Sequence, residues 1–199
     1  MELAVFSLAW ILWCAIHSIL ISNSVTGFFQ NRLHSHFRFY RLSYNIFAFI
    51  TIVPLCLWQP TDPFFRWEGY DFAGQVSIFI VGGFLMIAGA LEYDMLSLAG
   101  IRQIITSTKQ KPSTGEVELN YNGILGIIRH PWYLAAFILL WTSHLGVAEI
   151  IRNGILDCYL IIGVYLEERK LVLEFGEKYR EYQQRVPMLI PYKILRPEK

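Results

Sequence analysis

The sequence predicts an all-α polytopic membrane protein of about five transmembrane helices, with a cytoplasmic C-terminal helix, and three observations predict it. Apolar residues make up 54% of the 199-residue chain and charged residues only 17%, well short of the roughly 25% charged residues of a soluble domain. The apolar residues gather into runs close to the ~20 residues that cross a bilayer core. The first loop between runs carries arginines and no acid, the asymmetry that marks a cytoplasmic loop.

The first run, Leu3 to Ile21, holds no Asp, Glu, Lys or Arg. It lacks the basic start and small-residue cleavage site of a signal peptide, so it is expected to be retained as a span. Arg32, Arg38 and Arg41 follow it. The second run, Leu42 to Trp58, contains Pro54, and the next loop, Gln59 to Asp71, sets Arg66 against Asp62, Glu68 and Asp71. Phe72 to Leu91 is the third run. Trp132 to Leu145 is a short fourth, and Ile150 to Leu166 is a fifth interrupted by Arg152 and Asp157. With the first loop inside, the N-terminus lies outside, and both the Asp94 to Pro131 connection and the chain beyond Leu166 are cytoplasmic.

No repeat or linker divides the chain, so residues 1–199 are expected to form one membrane domain. Three spans occupy 1–93, a cytoplasmic connection 94–131, a helical hairpin 132–166 and a cytoplasmic tail 167–199. Pro112, Gly115 and Gly123 mark the connection as loop. In the tail, Leu171, Phe175, Tyr179 and Tyr182 recur at helical spacing, which predicts a helix on the cytoplasmic surface placed to roof a pocket. The final "RVPMLIPYKIL" reads as an extended, proline-bounded segment. Cys14, Cys56 and Cys158 all fall inside predicted spans, where a thiol packs as a small hydrophobe, so neither a disulfide framework nor a metal site is expected. A net charge of +1 gives no basic surface for nucleic acid. Phosphate loops, HExxH helices and GxSxG elbows do not occur, which removes familiar nucleotide motors and hydrolases.

Chemistry concentrates where apolar runs meet the cytoplasm. In "GIIRHPWY", Pro131 suits the first turn of a helix. The helix-start amides together with Arg129 favour a carboxylate or phosphate; the alternative is an interfacial anchor formed with Trp132 and Tyr133. Glu167 and Glu168 end the fifth run at the same face and are either solvated charges or the acidic corner of a site for a zwitterion. His17 lies deep in the first run, where an ionisable residue is a functional candidate by default; the alternative is a histidine hydrogen-bonded to Ser18 or a neighbouring helix. Asp157, Glu92 and Asp94 raise the same question, Asp94 with Arg102 and Gln103 behind it.

"GILGIIRHPWY" followed about thirty residues later by "EERKLVLEFGEKYREYQQRVPMLIP" resembles the integral-membrane methyltransferase superfamily. That superfamily includes isoprenylcysteine carboxyl, phospholipid N- and methanethiol S-methyltransferases. The resemblance implies S-adenosylmethionine as cofactor, bound at the cytoplasmic face under the C-terminal helix. It assigns His130, Pro131, Trp132 and Tyr133 to the cofactor motif, Glu167 to the cofactor-side glutamate, Leu125 to a position often held by tyrosine, and Leu119 and Asn120 to backbone contacts. Gly163 stands where the prenylcysteine enzymes carry a substrate-binding arginine, while "YDMLSLAGIRQ", "VPMLIP" and the "HS" of the first span are closer to the methanethiol branch. The implied acceptor is a small thiol or a lipid-soluble molecule reached from the bilayer. A thiol reacts as its thiolate, so His17 or Asp94 would accept the proton and Arg102 or Arg185 would steady the anion. The competing readings are a prenylcysteine carboxyl or phospholipid amine methyltransferase, and a noncatalytic membrane protein that keeps the fold.

Overall fold

A bilayer offers no water to free amides and carbonyls, so a chain of this composition must pair its backbone inside each segment. In the computed structural model, which describes residues 1–106 and 121–193, it does so as α-helix. The helices are α1 (Glu2–Ile21), α2 (Asn23–Leu33), α3 (Tyr40–Leu57), α4 (Tyr70–Glu92), α5 (Met95–Ala99), α6 (Ile101–Ile105), α7 (Pro131–Leu140), α8 (Val147–Phe175) and α9 (Glu177–Arg185). Short 3-10 turns cover His34–Phe39 and Gly123–Gly126. Among the described residues no strand forms; Phe65 and Leu145 make an isolated antiparallel bridge.

Among the described residues three stretches are long and apolar enough to cross a membrane: Glu2–Ile21, the continuous α2–α3 stretch Asn23–Leu57, and Tyr70–Glu92. Their apolar side chains remain largely uncovered by protein, as with Leu8, Ile11 and Ile19 on α1 and Phe79, Phe84 and Ile87 on α4. Lipid is the solvent such faces fit. The fourth apolar run folds differently from the expected span. Its helix α7 has ten residues, about 15 Å of rise, and ends at Trp141, where Thr142 to Leu145 turn back to bond α4 and the Phe65–Trp67 segment. The fifth run lies within the 29-residue α8, whose charges at both ends exclude it from the long uncharged spans.

The described chain divides into two compact units, residues 1–63, 94–106 and 146–156 in the first and 64–93, 121–145 and 157–193 in the second, with α8 running through both. In the first unit, Phe6 and Trp10 on α1 are buried against Leu55 and Trp58 at the end of α3 and Ala148 at the start of α8. Trp13 donates to Thr51 Oγ1 (3.0 Å) and Tyr40 to the Leu20 carbonyl (2.6 Å), so α1 and α3 run antiparallel. The α5–α6 corner turns at Gly100, whose φ of +85° belongs to glycine. A Cβ there would stand 2.5 Å from the Leu42 amide nitrogen. Asn45 donates to the carbonyls of Leu98 and Ala99 at 3.0 and 3.1 Å, and Arg41 Nε to that of Leu98 at 3.1 Å, filling acceptors that a helix end leaves open.

In the second unit, small residues let α4 and α7 approach. Gly82 faces Leu139 and Gly89 faces Trp132, seven residues apart on one face of α4, the spacing by which membrane helices pack closely. Trp132 is fixed there by its indole N–H to the Met86 carbonyl (2.9 Å).

A Cβ at Gly89 would meet the Trp132 ring at 2.5 Å, whereas one at Gly83 meets nothing within 4 Å. Gly89→Ala should therefore lose about 1–3 kcal/mol, read as a lower unfolding midpoint in detergent. Gly83→Ala should be neutral or slightly stabilising; equal effects of the two would refute the proposed packing.

Candidate functional site

The site grows from the turn that leads into α7. After the Gly123–Gly126 turn, His130 is the N-cap residue of α7 and Pro131 fills its first position, where the missing N–H leaves no donor unpaired. The two amides before the proline are occupied: Arg129 N–H donates to the Pro187 carbonyl (3.0 Å) and His130 N–H to the Met188 carbonyl (3.1 Å). The C-terminal segment thus lies against the helix start and takes the amides of the two residues ahead of it. Burial is the reason, since donors removed from water must find partners.

Glu168 organises the side chains. Arg129 binds it bidentately, Nε to Oε1 and Nη2 to Oε2, both at 2.9 Å, the planar fork for which arginine suits a carboxylate. His130 Nε2 lies 2.6 Å from Oε1 and Tyr179 donates to the same oxygen at 2.8 Å. Gln183 donates to Oε2. A carboxylate only accepts, so His130 carries its proton on Nε2. Arg129 Nη1 reaches the Gln183 carbonyl at 3.1 Å and also the Val186 carbonyl. Burial alone would push the Glu168 carboxyl up, but the hydrogen bonds from His130, Arg129, Gln183 and Tyr179 hold it well below the usual carboxylate range. Burial first, and then the hydrogen bond to Glu168, raise the Tyr179 hydroxyl, which stays a donor at every working pH.

Glu167 has a different environment. One residue along a helix rotates the side chain by about 100°, and Glu167 turns toward Tyr133, whose hydroxyl pKa is raised first by burial and then by the Glu167 charge, and toward His130 Nδ1 at 3.9 Å. Its side chain is 41% exposed, against 8% for Glu168. Gly163 makes room for this arrangement, because a Cβ there would lie 3.3 Å from the Tyr133 ring and hydroxyl. The His130 and Tyr133 rings meet edge to face at 5.6 Å, and Trp132 pairs with Tyr93 at 4.9 Å. Tyr182 donates to the Leu125 carbonyl at 2.5 Å, joining α9 to the 3-10 turn.

No family model matches the chain, and no solved structure matches it. The chain is similar to a methanethiol S-methyltransferase of Crocosphaera subtropica, 28% identical over 158 residues, or 76% of the chain and 61% of that protein. It is also similar to those of Pseudomonas deceptionensis, 31% identical over 147 residues (71% of the chain, 55% of that protein), and Mycobacterium tuberculosis, 27% over 157 residues (76% and 64%). These relatives support placing the chain with the integral-membrane methyltransferase-like superfamily. It spans 55–64% of the length of these relatives.

Of the residues assigned through that superfamily, His130, Tyr133 and Glu167 come together around one another, with Pro131 and Trp132 on the same turn. Leu125 is buried and bonds Tyr182 through its carbonyl. Leu119 and Asn120 lie outside the described residues. The proposed proton acceptors and anion partners sit as follows. In the first unit, His17 is stacked on Trp13 at 4.9 Å and lies 2.7 Å, through Nε2, from the Tyr44 hydroxyl. Asp94 caps α5 through the Ser97 amide (3.2 Å) and pairs with Arg102 at 2.6 Å. In the second unit, Arg185 is a surface residue of α9, 3.6 Å from Glu181. Glu168 as the central acceptor, and Tyr179 and Gln183 as its donors, were not singled out from sequence. The signal available was the doubled glutamate and the tyrosine spacing of the tail.

Because Glu168 is depressed when folded, its contribution is complete above the unfolded carboxyl value of about 4.3 and is lost as pH falls below it. Glu168→Gln leaves Arg129 buried without its counter-charge and should lose about 3–5 kcal/mol at pH 7. Between pH 6 and pH 3.5 the variant's unfolding midpoint in detergent should fall less steeply than the wild type's. Parallel slopes would show that Glu168 is not the titrating group.

Proposed function

We propose that the chain is an S-adenosylmethionine-dependent methyltransferase of the cytoplasmic membrane face, with a small thiol as acceptor. The observation that carries the proposal is the convergence of His130, Tyr133 and Glu167, in a chain similar over 71–76% of its length to proteins named methanethiol S-methyltransferase.

The residues fit the cationic side of this cofactor. Glu167 is the carboxylate left available, since Glu168 is saturated by its donors, and Tyr93, Trp132 and Tyr133 supply aromatic walls. Arg129 does not supply the basic corner expected of it, because its guanidinium is engaged by Glu168 and two carbonyls. When bound, the cofactor supplies a methyl group on a sulfonium, an electrophile with a good leaving group. Catalysis by the protein then consists of alignment and exclusion of water. Glu168 acts at one remove: by fixing the Nε2 proton of His130 and clamping α9, it holds Glu167 and Tyr133 in register.

The carboxylate of Asp94 is engaged by Arg102 and by the Ser97 amide. His17, whose ring lies against the Tyr44 hydroxyl, is the candidate base for the acceptor thiol. Arg102 and Arg185 each carry an acidic partner, and an anion-stabilising role for either requires that pair to open. A small thiol is preferred to a prenylcysteine carboxylate because Gly163 has no guanidinium and a longer side chain there would collide with Tyr133.

Purified protein in detergent should bind S-adenosylmethionine and S-adenosylhomocysteine at micromolar concentration and methylate methanethiol or a similar thiol, with prenylcysteine and phosphatidylethanolamine left unmodified. Absence of binding to either nucleoside sinks the enzyme reading. His17→Ala should lower turnover by about 10²-fold or more with cofactor affinity retained; unchanged turnover removes His17 as the base.

A further inference from the structure

Tyr93 follows the last turn of α4 and was not part of the motif that drew attention to the site. It packs on Trp132 with ring centroids 4.9 Å apart and planes inclined by 46°. Trp132 is tied to the Met86 carbonyl and seated over Gly89. Neither residue of the pair is fully buried. Two carboxylates stand near it. Glu167 is beside His130 and Tyr133, and Glu92, the residue before Tyr93, closes on Gly123. Burial, and then the charges of Glu167 and Glu92, raise the Tyr93 phenol, so Tyr93 stays neutral and its ring keeps its π-face.

An aromatic face beside two carboxylates is a cation receptor, because the ring quadrupole and the carboxylates attract the same charge. We infer that Tyr93, backed by Trp132, receives the cationic sulfonium of the cofactor and makes the site prefer the charged methyl donor to its neutral thioether product. This rests on the methyltransferase reading. It adds a residue and a property to that reading: product release follows from loss of charge, since the attraction exists only while sulfur carries three carbons.

The test compares equilibrium binding of S-adenosylmethionine and S-adenosylhomocysteine by calorimetry in a choline-free maltoside detergent. Tyr93→Leu should weaken S-adenosylmethionine about 5- to 10-fold, the scale of a cation–π contact that is only partly desolvated, and change S-adenosylhomocysteine less than about twofold. Tyr93→Phe should bind both like the wild type. Trifluorophenylalanine at position 93 preserves ring shape and drains the face of charge, so it should reproduce the loss even if the leucine variant does not fold. Equal weakening of the two ligands, or a trifluorophenylalanine variant with wild-type preference, overturns the inference while leaving the methyltransferase reading intact. Displacement of S-adenosylmethionine by millimolar phosphocholine together with an unchanged ligand ratio in the variants would assign the aromatic face to lipid headgroups and overturn it as well. Wild-type protein that binds neither nucleoside overturns the underlying function.

Discussion

Glu168 is an acceptor surrounded by donors from two parts of the second unit: Arg129 and His130 before α7, and Tyr179 and Gln183 on α9. A charge removed from water needs this many partners, because its desolvation is offset only when the ion is paired and its remaining lone pairs are filled. The geometry is restrictive for the same reason. Arg129 can engage both oxygens only if its own turn, α8 and the chain around Val186 occupy their observed places, and the amide bonds to Pro187 and Met188 complete the clasp. The buried pair therefore selects one arrangement of the tail more than it adds net stability.

Adjacent glutamates acquire separate tasks through helix geometry. Glu168 points into the protein and is saturated, while Glu167 points toward Tyr133 and keeps water access. The proposed function depends on that division: the saturated carboxylate fixes the shape, and the unsaturated one beside aromatic rings is left to meet a cation. Gly163 belongs to the same device, one turn earlier, by leaving Tyr133 the space to reach Glu167.

The apolar pattern of the chain made α1, α3 and α4 legible, because long uncharged runs have few alternatives to a lipid-facing helix. The fourth run was legible as apolar but not as a ten-residue helix, since what ends α7 is tertiary: Gln75 takes the Thr142 carbonyl and Trp67 the Ser143 carbonyl, residues more than sixty positions away. The small-residue face of α4 has the same character, for Gly82 and Gly89 gain meaning only when Leu139 and Trp132 stand opposite. In the site, His130, Tyr133 and Glu167 were visible as motif positions. The roles of Arg129 and Glu168 were not, because a free cation and a buried, fully paired one have the same letter in the sequence.

By itself the sequence determined a helical membrane-protein composition, the positions of the apolar runs and the two motifs that meet in the second unit. Those are properties of local order, set by side-chain transfer energies and helical period. Only the tertiary structure decided which glutamate is buried, that the amides ahead of Pro131 are closed by Pro187 and Met188, and that Tyr93 joins Trp132 at the edge of the site. Each of these depends on desolvation and contact between residues distant along the chain, and neither period nor composition carries that information.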